Sequence, residues 1–501
     1  MGWDDLLIQI AALERKVREE MRRSGPVEDR GEAWEAWLHR VLPSADLKVE
    51  QVPLPGGHAA LAYLETLVDR RRLADEVVEA LLSARHEAEP RALVAGVQWS
   101  SDPMEVLGRL GDGWAALLLA DKGKVALVPA AKLKGRSVSA SSTEPVLIGP
   151  KEAFTEALDT SINLIRQRLR DPRLRVMTFR AGRLSQVPGA FLYLEGVCPD
   201  AVVHRMEKLL PRLQDVDYVR TTSDVRDILF PEKNSAFPTD KRTERPEMAA
   251  TALSSGRVVI LLHGSPFALI FPTTLNELTH GLETMVGSGL LVPVFIRWMR
   301  YLGLLGSLLA PGFYAAFMSV SPQVLPPDLL VNVAATRQGV PYPVLYETLI
   351  MILILDVVTE ASLLAPSPLG QTLTIVGTLV IGQAAVQAKL ASNFMIIILA
   401  ITSIGVLLSA DIPLAYAVRL AKYPLTVLGG VFGITGLTVG LILLSTRLAA
   451  MRSLDVPYLA PLGPTRLYDL AVYAVFPLSK GLIAKPPQTF RPEDSKGQPT
   501  G

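Results

Sequence analysis

Cysteine is nearly absent: Cys198 stands alone in 501 residues. An internal disulfide framework is thereby excluded, and the usage fits a reducing compartment. The six histidines, His39, His58, His86, His204, His263 and His280, are scattered without cysteine neighbours, so no metal site is expected. There is no glycine-rich P-loop motif and no His-Glu-x-x-His motif, which leaves nucleotide and zinc chemistry without support. Ser265, in Gly264-Ser265-Pro266, lacks the strand–elbow–helix setting of a nucleophile and reads as a turn residue. Cys198, flanked by Val197 and Pro199, reads as a packed thiol. The first ten residues, MGWDDLLIQI, have neither a basic stretch nor an apolar core, so no signal peptide is expected. Leu6 stands where myristoylation prefers Ser or Thr. Net charge is missing too: the balance is +1, which predicts no bulk attraction to nucleic acid. With no clustered catalytic residues, neither an enzyme nor a cofactor is expected.

Charge is also missing locally. Residues 1–250 are rich in Arg, Lys, Asp and Glu, whereas 301–445 hold very few, and mean hydropathy is +0.31. The asymmetry predicts an α/β soluble N-terminal region followed by an all-α, multi-pass membrane domain, with the soluble region cytosolic. The expected division is a helical extension (1–43), an α/β subdomain (44–148), a second α/β subdomain (149–240), a linker with a β-hairpin (241–292), the membrane domain (293–450) and a cytosolic tail (451–501). Strands are expected at 47–52, 59–64, 92–97, 115–120, 124–129, 187–194 and 216–219, and helices at 3–23, 72–83, 151–170 and 201–213. Residues 237–246 read as a polar linker. The run 256–272 is broken by His263-Gly264-Ser265-Pro266 and reads as a hairpin. No repeat of solenoid period is visible.

Five apolar segments follow, at 301–320, 344–364, 372–388, 390–410 and 425–446. The positive-inside rule puts Arg297/Arg300, Arg419/Lys422 and the tail (Arg447, Arg452, Arg466, Lys480, Lys485) in the cytosol, which requires an even number of crossings. Four spans plus one interfacial or re-entrant segment satisfy this, and Pro366/Pro368 favour 344–388 for the exception.

Between Glu360 and Lys389 no charge occurs, and on a helix Gln371, Thr374, Thr378, Gly382, Ala385 and Lys389 form one small-and-polar stripe. Such a stripe fits either a water-filled axis or a dry contact with another subunit; Gln371, Thr374, Thr378, Gly382 and Lys389 are the candidate pore-lining residues. Gly429, Gly433, Gly436 and Gly440 recur at spacings of 4, 3 and 4, a smooth face suited to close helix packing. Glu347 and Glu360 fall near the ends of their segment, where an interfacial position accounts for them. Asp356, amid Leu353, Ile354, Val357 and Val358, is the candidate intramembrane acid.

Taken together these residues resemble the A subunits of the GerA-family spore germinant receptors, including SpoVAF-type proteins. The resemblance lies in GPKEAF (149–154), Asn163-Leu164-Ile165-Arg166-Gln167-Arg168, Thr243-Glu244-Arg245-Pro246 and Gly256-Arg257 with Gly264-Ser265-Pro266. It continues in VPYPVLYE (340–347), GTLVIGQAAVQAKLAS (377–392) and VPYLAPLGP (456–464), covering 46–484 in order. It implies a subunit of the spore inner membrane that oligomerises into a cation-releasing channel during spore germination. The implied partners are B-type (transporter-like) and C-type (lipoprotein) subunits and membrane lipid, with the nutrient site on the B-type partner. The chain departs from the family pattern after Glu347, where Ile352, Asp356, Thr359 and Leu364 replace further charges while Glu360-Ala361 is kept. The alternatives are a secondary transporter, with Asp356 on a coupling ion, or a SpoVAF-like accessory channel.

Overall fold

The computed structural model describes residues 34–54, 57–73, 97–119, 125–131, 152–230, 235–279, 291–364, 377, 380–409 and 411–463. The chain forms two compact units, one of 1–231, 242–271 and 486–501, the other of 232–241 and 272–485. The helix expected at 3–23 and most of that at 72–83, with residues 372–376, 378 and 379 of the segment at 372–388 and the strand at 92–97 up to Gly96, lie outside the described residues.

In the first unit, helix α1 (Trp34–Val41) precedes strands β1 (Leu47–Leu54), β2 (Gly57–Leu64) and β3 (Gln98–Ser100), helix α2 (Pro103–Gly111), and strands β4 (Trp114–Leu119) and β5 (Val125–Pro129). The order across the sheet is β1-β2-β4-β5-β3, with every neighbouring pair antiparallel. Successive residues of the apolar runs go to opposite faces. Ala62, Leu64 and Leu118 pack with Trp37, Leu38 and Leu110, while Leu61, Tyr63 and Leu117 pack on the other side. Asp102 caps α2 by accepting from the Met104 N–H at 3.0 Å, and Pro103 supplies the first helical residue.

A second sheet follows helix α3 (Leu158–Arg168). It contains β6 (Leu174–Ala181), β7 (Val187–Leu194), β8 (Lys241–Thr243), β9 (Val258–Leu262) and β10 (Ala268–Phe271), with helices α4 (Asp200–Leu209) and α5 (Thr222–Leu229) before β8 and α6 (Pro246–Ser254) after it. Its order, β6-β7-β9-β10-β8, matches that of the first sheet, element for element. The residues match as well. Leu47-Lys48-Val49 and Leu174-Arg175-Val176 open the two hairpins, opposite Tyr63-Leu64-Glu65 and Tyr193-Leu194-Glu195. Lys48 pairs with Glu65 as Arg175 pairs with Glu195. Pro103 and Pro246 start nine-residue helices, and Gly113 and Gly256 follow them at φ of 85° and 87°. The first unit is an internal duplication.

The two copies are joined through a buried ion pair. Arg166 of α3 donates twice to the Asp46 carboxylate at 2.8 Å, and the Ser44 and Thr66 hydroxyls donate to it at 2.5 and 2.7 Å. Burial alone would raise the Asp46 carboxyl, but Arg166 and the two hydroxyls hold it below the usual range. The Ala45 N–H adds a backbone bond to the Val176 carbonyl at 3.0 Å.

Several local expectations are corrected. The helix expected at 151–170 begins only at Leu158, because the Phe154 N–H is taken by the Glu244 carbonyl in an extended stretch. Residues 216–219 are not a strand: their carbonyls at Val216 and Asp217 accept from the turn Arg183–Leu184 instead. The helix expected to reach 213 tightens into a 3₁₀ turn at Leu210–Gln214, where Pro211 cannot donate. The supposed linker 237–246 holds β8 and the first turn of α6. The hairpin in 256–272 is β9–β10 and lies inside the second sheet.

The second unit carries helices α7 (Leu291–Ser319), α8 (Pro327–Thr336), α9 (Val344–Leu364), α10 (Asn393–Leu407) and α11 (Ile412–Ala450), with residues 380–387 also helical. Two stretches, Phe295–Ser319 and Ile412–Ala450, are long and apolar enough to cross a membrane. The segment 425–446 is not one straight helix. Gly433 adopts φ 65°, ψ −151°, and a Cβ built on Gly440 would lie 2.8 Å from the Leu425 side chain. Along a straight helix those residues would stand about 22 Å apart. The chain therefore reverses at Gly433 into two arms, 412–432 and 434–450. The tail does not hang free at its start either: β11 (Arg452–Ser453) and β12 (Val456–Pro457) form a ribbon, and Tyr458 is fully buried against Leu278, Leu414 and Met451.

Candidate functional site

The polar groups of the helical unit converge on α9, an apolar helix of 21 residues interrupted by Glu347, Asp356 and Glu360. Each acid meets a partner from another element. Glu347 is 1% exposed; it accepts from Arg337 Nε at 3.1 Å and from the Ser392 N–H at 2.7 Å. Ser392 caps α10 by accepting from the Met395 N–H, and its hydroxyl meets Tyr314 Oη of α7 at 3.0 Å. Glu347 thus holds the end of α8, the start of α9 and the start of α10 together. A carboxylate sealed from solvent needs these donors to offset its desolvation.

Asp356 accepts from Lys422 Nζ at 2.7 Å and from Tyr423 Oη at 2.6 Å. Lys422 is 0% exposed and sits midway along the 412–432 arm, ten residues from its start, so it lies inside an apolar helix and does not flank one as expected. Starting the last segment at residue 425, after the lysine, is what misplaces it. Glu360, exposed, accepts from Tyr416 Oη at 3.1 Å and lies 3.8 Å from Arg419. The pairs 356/422 and 360/416 run in opposite directions, and Gly430 sits against Leu345 at the far end. The 412–432 arm is therefore held antiparallel to α9 by an ion pair and a tyrosine–carboxylate hydrogen bond.

Beside Asp356 a small cavity of mixed lining is bounded by Thr359, Thr402, Ser403, Arg419 and Lys422 together with Leu355, Val406 and Leu407. The hydroxyls of Thr402 and Ser403 donate to their own helix, to the Ile398 and Leu399 carbonyls at 2.8 Å. Lys422 Nζ and Tyr423 Oη each donate to one of the two Asp356 carboxylate oxygens. This arrangement can neutralise charge within the apolar unit and fix helix register; it offers no spare carboxylate to a transported ion.

The other candidate residues are dispersed. Gln371, Thr374 and Thr378 lie outside the described residues. Gly382 is buried, and its Cβ position faces Ile396 of α10 at 3.5 Å; Lys389 is exposed at φ 56°, its side chain lying over Gly339. A Cβ on Gly429 would come within 2.6 Å of the Gly312 carbonyl of α7, and one on Gly433 within 2.4 Å of Ser321 Oγ. Gly436 and Gly440 face the opposite arm of their own hairpin, at Leu428 and Leu425. Arg337 and Tyr423 are overlooked in the sequence, and Arg419 and Lys422 are read there only as topology signals. A signal for Lys422 is present in the sequence, since it is a lysine set among apolar residues and opposite in sign to Asp356.

A family model described as "Bacillus/Clostridium GerA spore germination protein" matches residues 35–486, both units included. The chain belongs to the GerA family. Spore germination protein KA of Bacillus subtilis (strain 168) is 31% identical over 417 residues, 81% of this chain and 76% of that protein. Spore germination protein B1 of the same organism is 30% identical over 446 residues, 87% and 92% of the two chains. GerLA of Bacillus cereus is 27% identical over 467 residues, 91% and 94%. A solved structure, the N-terminal domain of the A subunit of the Bacillus megaterium spore germinant receptor GerK3, is similar at 22% identity and TM-score 0.36, covering 47% of this chain and 91% of that one.

Proposed function

We propose that this GerA-family chain is the membrane-spanning A-type subunit of a spore germinant receptor, and that several copies surround an ion-conducting axis. The family match across 35–486 carries the reading, since it takes in the duplicated soluble unit and the apolar helices together. B-type and C-type receptor subunits would be its partners, the spore inner membrane its place, and release of cations on nutrient sensing its role.

Helix directions support a defined topology. Gly303 lies against Gly405, and Tyr314 bonds Ser392, so α7 and α10 are antiparallel; Gly312 meets Gly429 and Val320 meets Gly433, so α7 parallels the 412–432 arm. Glu347 meets Ser392, and Gly377 meets Val358 while Gly382 meets Ile396, so residues 377–387 run against α9 and α10. With the reversal at Gly433 the proposal is six crossings: α7, α9, the helix ending at 387, α10 and the two arms of α11. Six is even, which removes the need for a re-entrant segment, and both the soluble unit and the tail fall on the cytosolic side. Gln371, Thr374 and Thr378 remain the proposed pore lining, whereas Gly382, packed on Ile396, and Lys389, beyond the helix that ends at 387, are left out of it; single cysteines at the three positions in the assembled receptor should react with a water-soluble thiol reagent and alter ion flux. Reaction only at Val376 and Val380 would place the axis elsewhere.

The transporter reading loses ground because Lys422 already neutralises Asp356. Spores lacking this chain should lose cation release to one class of nutrient and keep the response to non-nutrient triggers. Unchanged germination with every nutrient would reject the receptor role.

A further inference from the structure

A cavity of about 480 Å³ opens among α7, α8 and α10. Phe313, Tyr314 and Phe317 wall one side, Val333 another, and Phe394 and Ile398 the third. The Tyr314 hydroxyl is already engaged by Ser392 at 3.0 Å. A water needs two to four polar partners, and apolar cavities of only about 150 Å³ stay dry and take up benzene or xenon. This one therefore calls for an apolar occupant.

The surroundings indicate which. The cavity lies toward the C-terminal end of α7, the end at which Ser392 starts α10 and Lys389 precedes it by three residues. Three residues of chain reach at most about 10 Å. Lys389 is exposed, has no ion-pair partner among the described residues, and holds its ammonium over Gly339, six residues beyond Val333 of the cavity wall. An apolar slot with a solvent-facing cation at its rim matches an anionic amphiphile. We propose that the cavity holds one acyl chain of an anionic membrane phospholipid, with Lys389 at the headgroup phosphate. The proposal rests on the membrane-spanning reading above.

The test uses the full chain in vesicles of mixed phosphatidylglycerol and phosphatidylcholine. Either lipid carries a photoactivatable diazirine near its acyl terminus, and adducts are mapped by peptide. Phosphatidylglycerol should label 310–318 and 394–398 several-fold more than the exposed surface at Val439, Ile442 and Leu443. Filling the cavity by Leu325→Trp, or by Val333→Trp, should reduce the cavity adducts at least several-fold and leave those at 439–443 unchanged. Lys389→Glu should abolish the preference for phosphatidylglycerol over phosphatidylcholine. Equal labelling of the cavity and of 439–443, or filled variants that label like the wild type, would overturn the proposal. So would cavity adducts that vanish when subunits assemble, since protein would then be the occupant. Absence of adducts at both places would instead remove the membrane-spanning reading beneath it.

Discussion

Removing the ammonium from Lys422 is the sharpest perturbation available. Lys422 Nζ lies 2.7 Å from Asp356, and the two side chains are 1% and 20% exposed. At an effective dielectric of about 20 the gross attraction at that distance is about 6 kcal/mol. Desolvation of both groups offsets much of this, so the pair's net worth is small, while either half alone is costly. Lys422→Met should therefore destabilise the helical unit by about 3–5 kcal/mol, leaving Asp356 with Tyr423 alone. Asp356→Asn should cost a similar amount, because the buried ammonium loses its carboxylate. The double variant, neutral on both helices, should recover at least about 2 kcal/mol relative to the sum of the singles. Denaturant titration of the purified chain in mixed micelles, run as a double-mutant cycle, measures this. Additivity within about 0.5 kcal/mol would refute the pairing as a determinant of stability.

Other outcomes follow from the two units separately. The Asp46 carboxyl is depressed in the folded state relative to an unfolded value of about 3.9, so its contribution is present above that pH and lost as pH falls through the folded value. A fragment ending at residue 279 should lose stability below about pH 4, and Asp46→Asn should flatten that dependence; parallel pH curves from urea midpoints would contradict it. Burial and the nearby Asp200 push the Cys198 thiol up to about 12, so iodoacetamide at pH 8 should label it only after unfolding. Rapid labelling of native protein would show that the site opens. Gly433→Ala places a side chain at φ 65° and against Ser321, and should cost about 1–3 kcal/mol in the same micelle titration, whereas Leu441→Ile should cost under about 1.5.

Legibility in the sequence tracks how far one periodicity dominates each stretch. Helix α9 is apolar but for three acids and lies between Pro343 and Pro366, so its bounds are readable from the sequence. Strand β6 escapes a sequence reading because Arg175, Thr178 and Arg180 dilute its apolar residues, although its first three residues and its last are buried. The duplication stays hidden because so few residues repeat: chiefly Tyr-Leu-Glu at 63–65 and 193–195, and the Pro and Gly that bound α2 and α6. The reversal at Gly433 is masked by the glycines themselves. Spacings of 4, 3 and 4 describe a face on a straight helix and equally two short helices that close on each other; only the backbone at Gly433 separates them. The carboxylates of the candidate site are visible as charges in an apolar run, but their partners are 10 to 67 residues away in sequence and require the fold.

Ion flux across a sealed bilayer tests the central claim most directly. The full chain, reconstituted in liposomes with its B-type and C-type partners, should pass monovalent cations down their gradient when the cognate nutrient is added. Thr374→Cys or Thr378→Cys should make that flux sensitive to a water-soluble thiol reagent. Nutrient-evoked flux of equal size from liposomes that lack this chain would contradict the account.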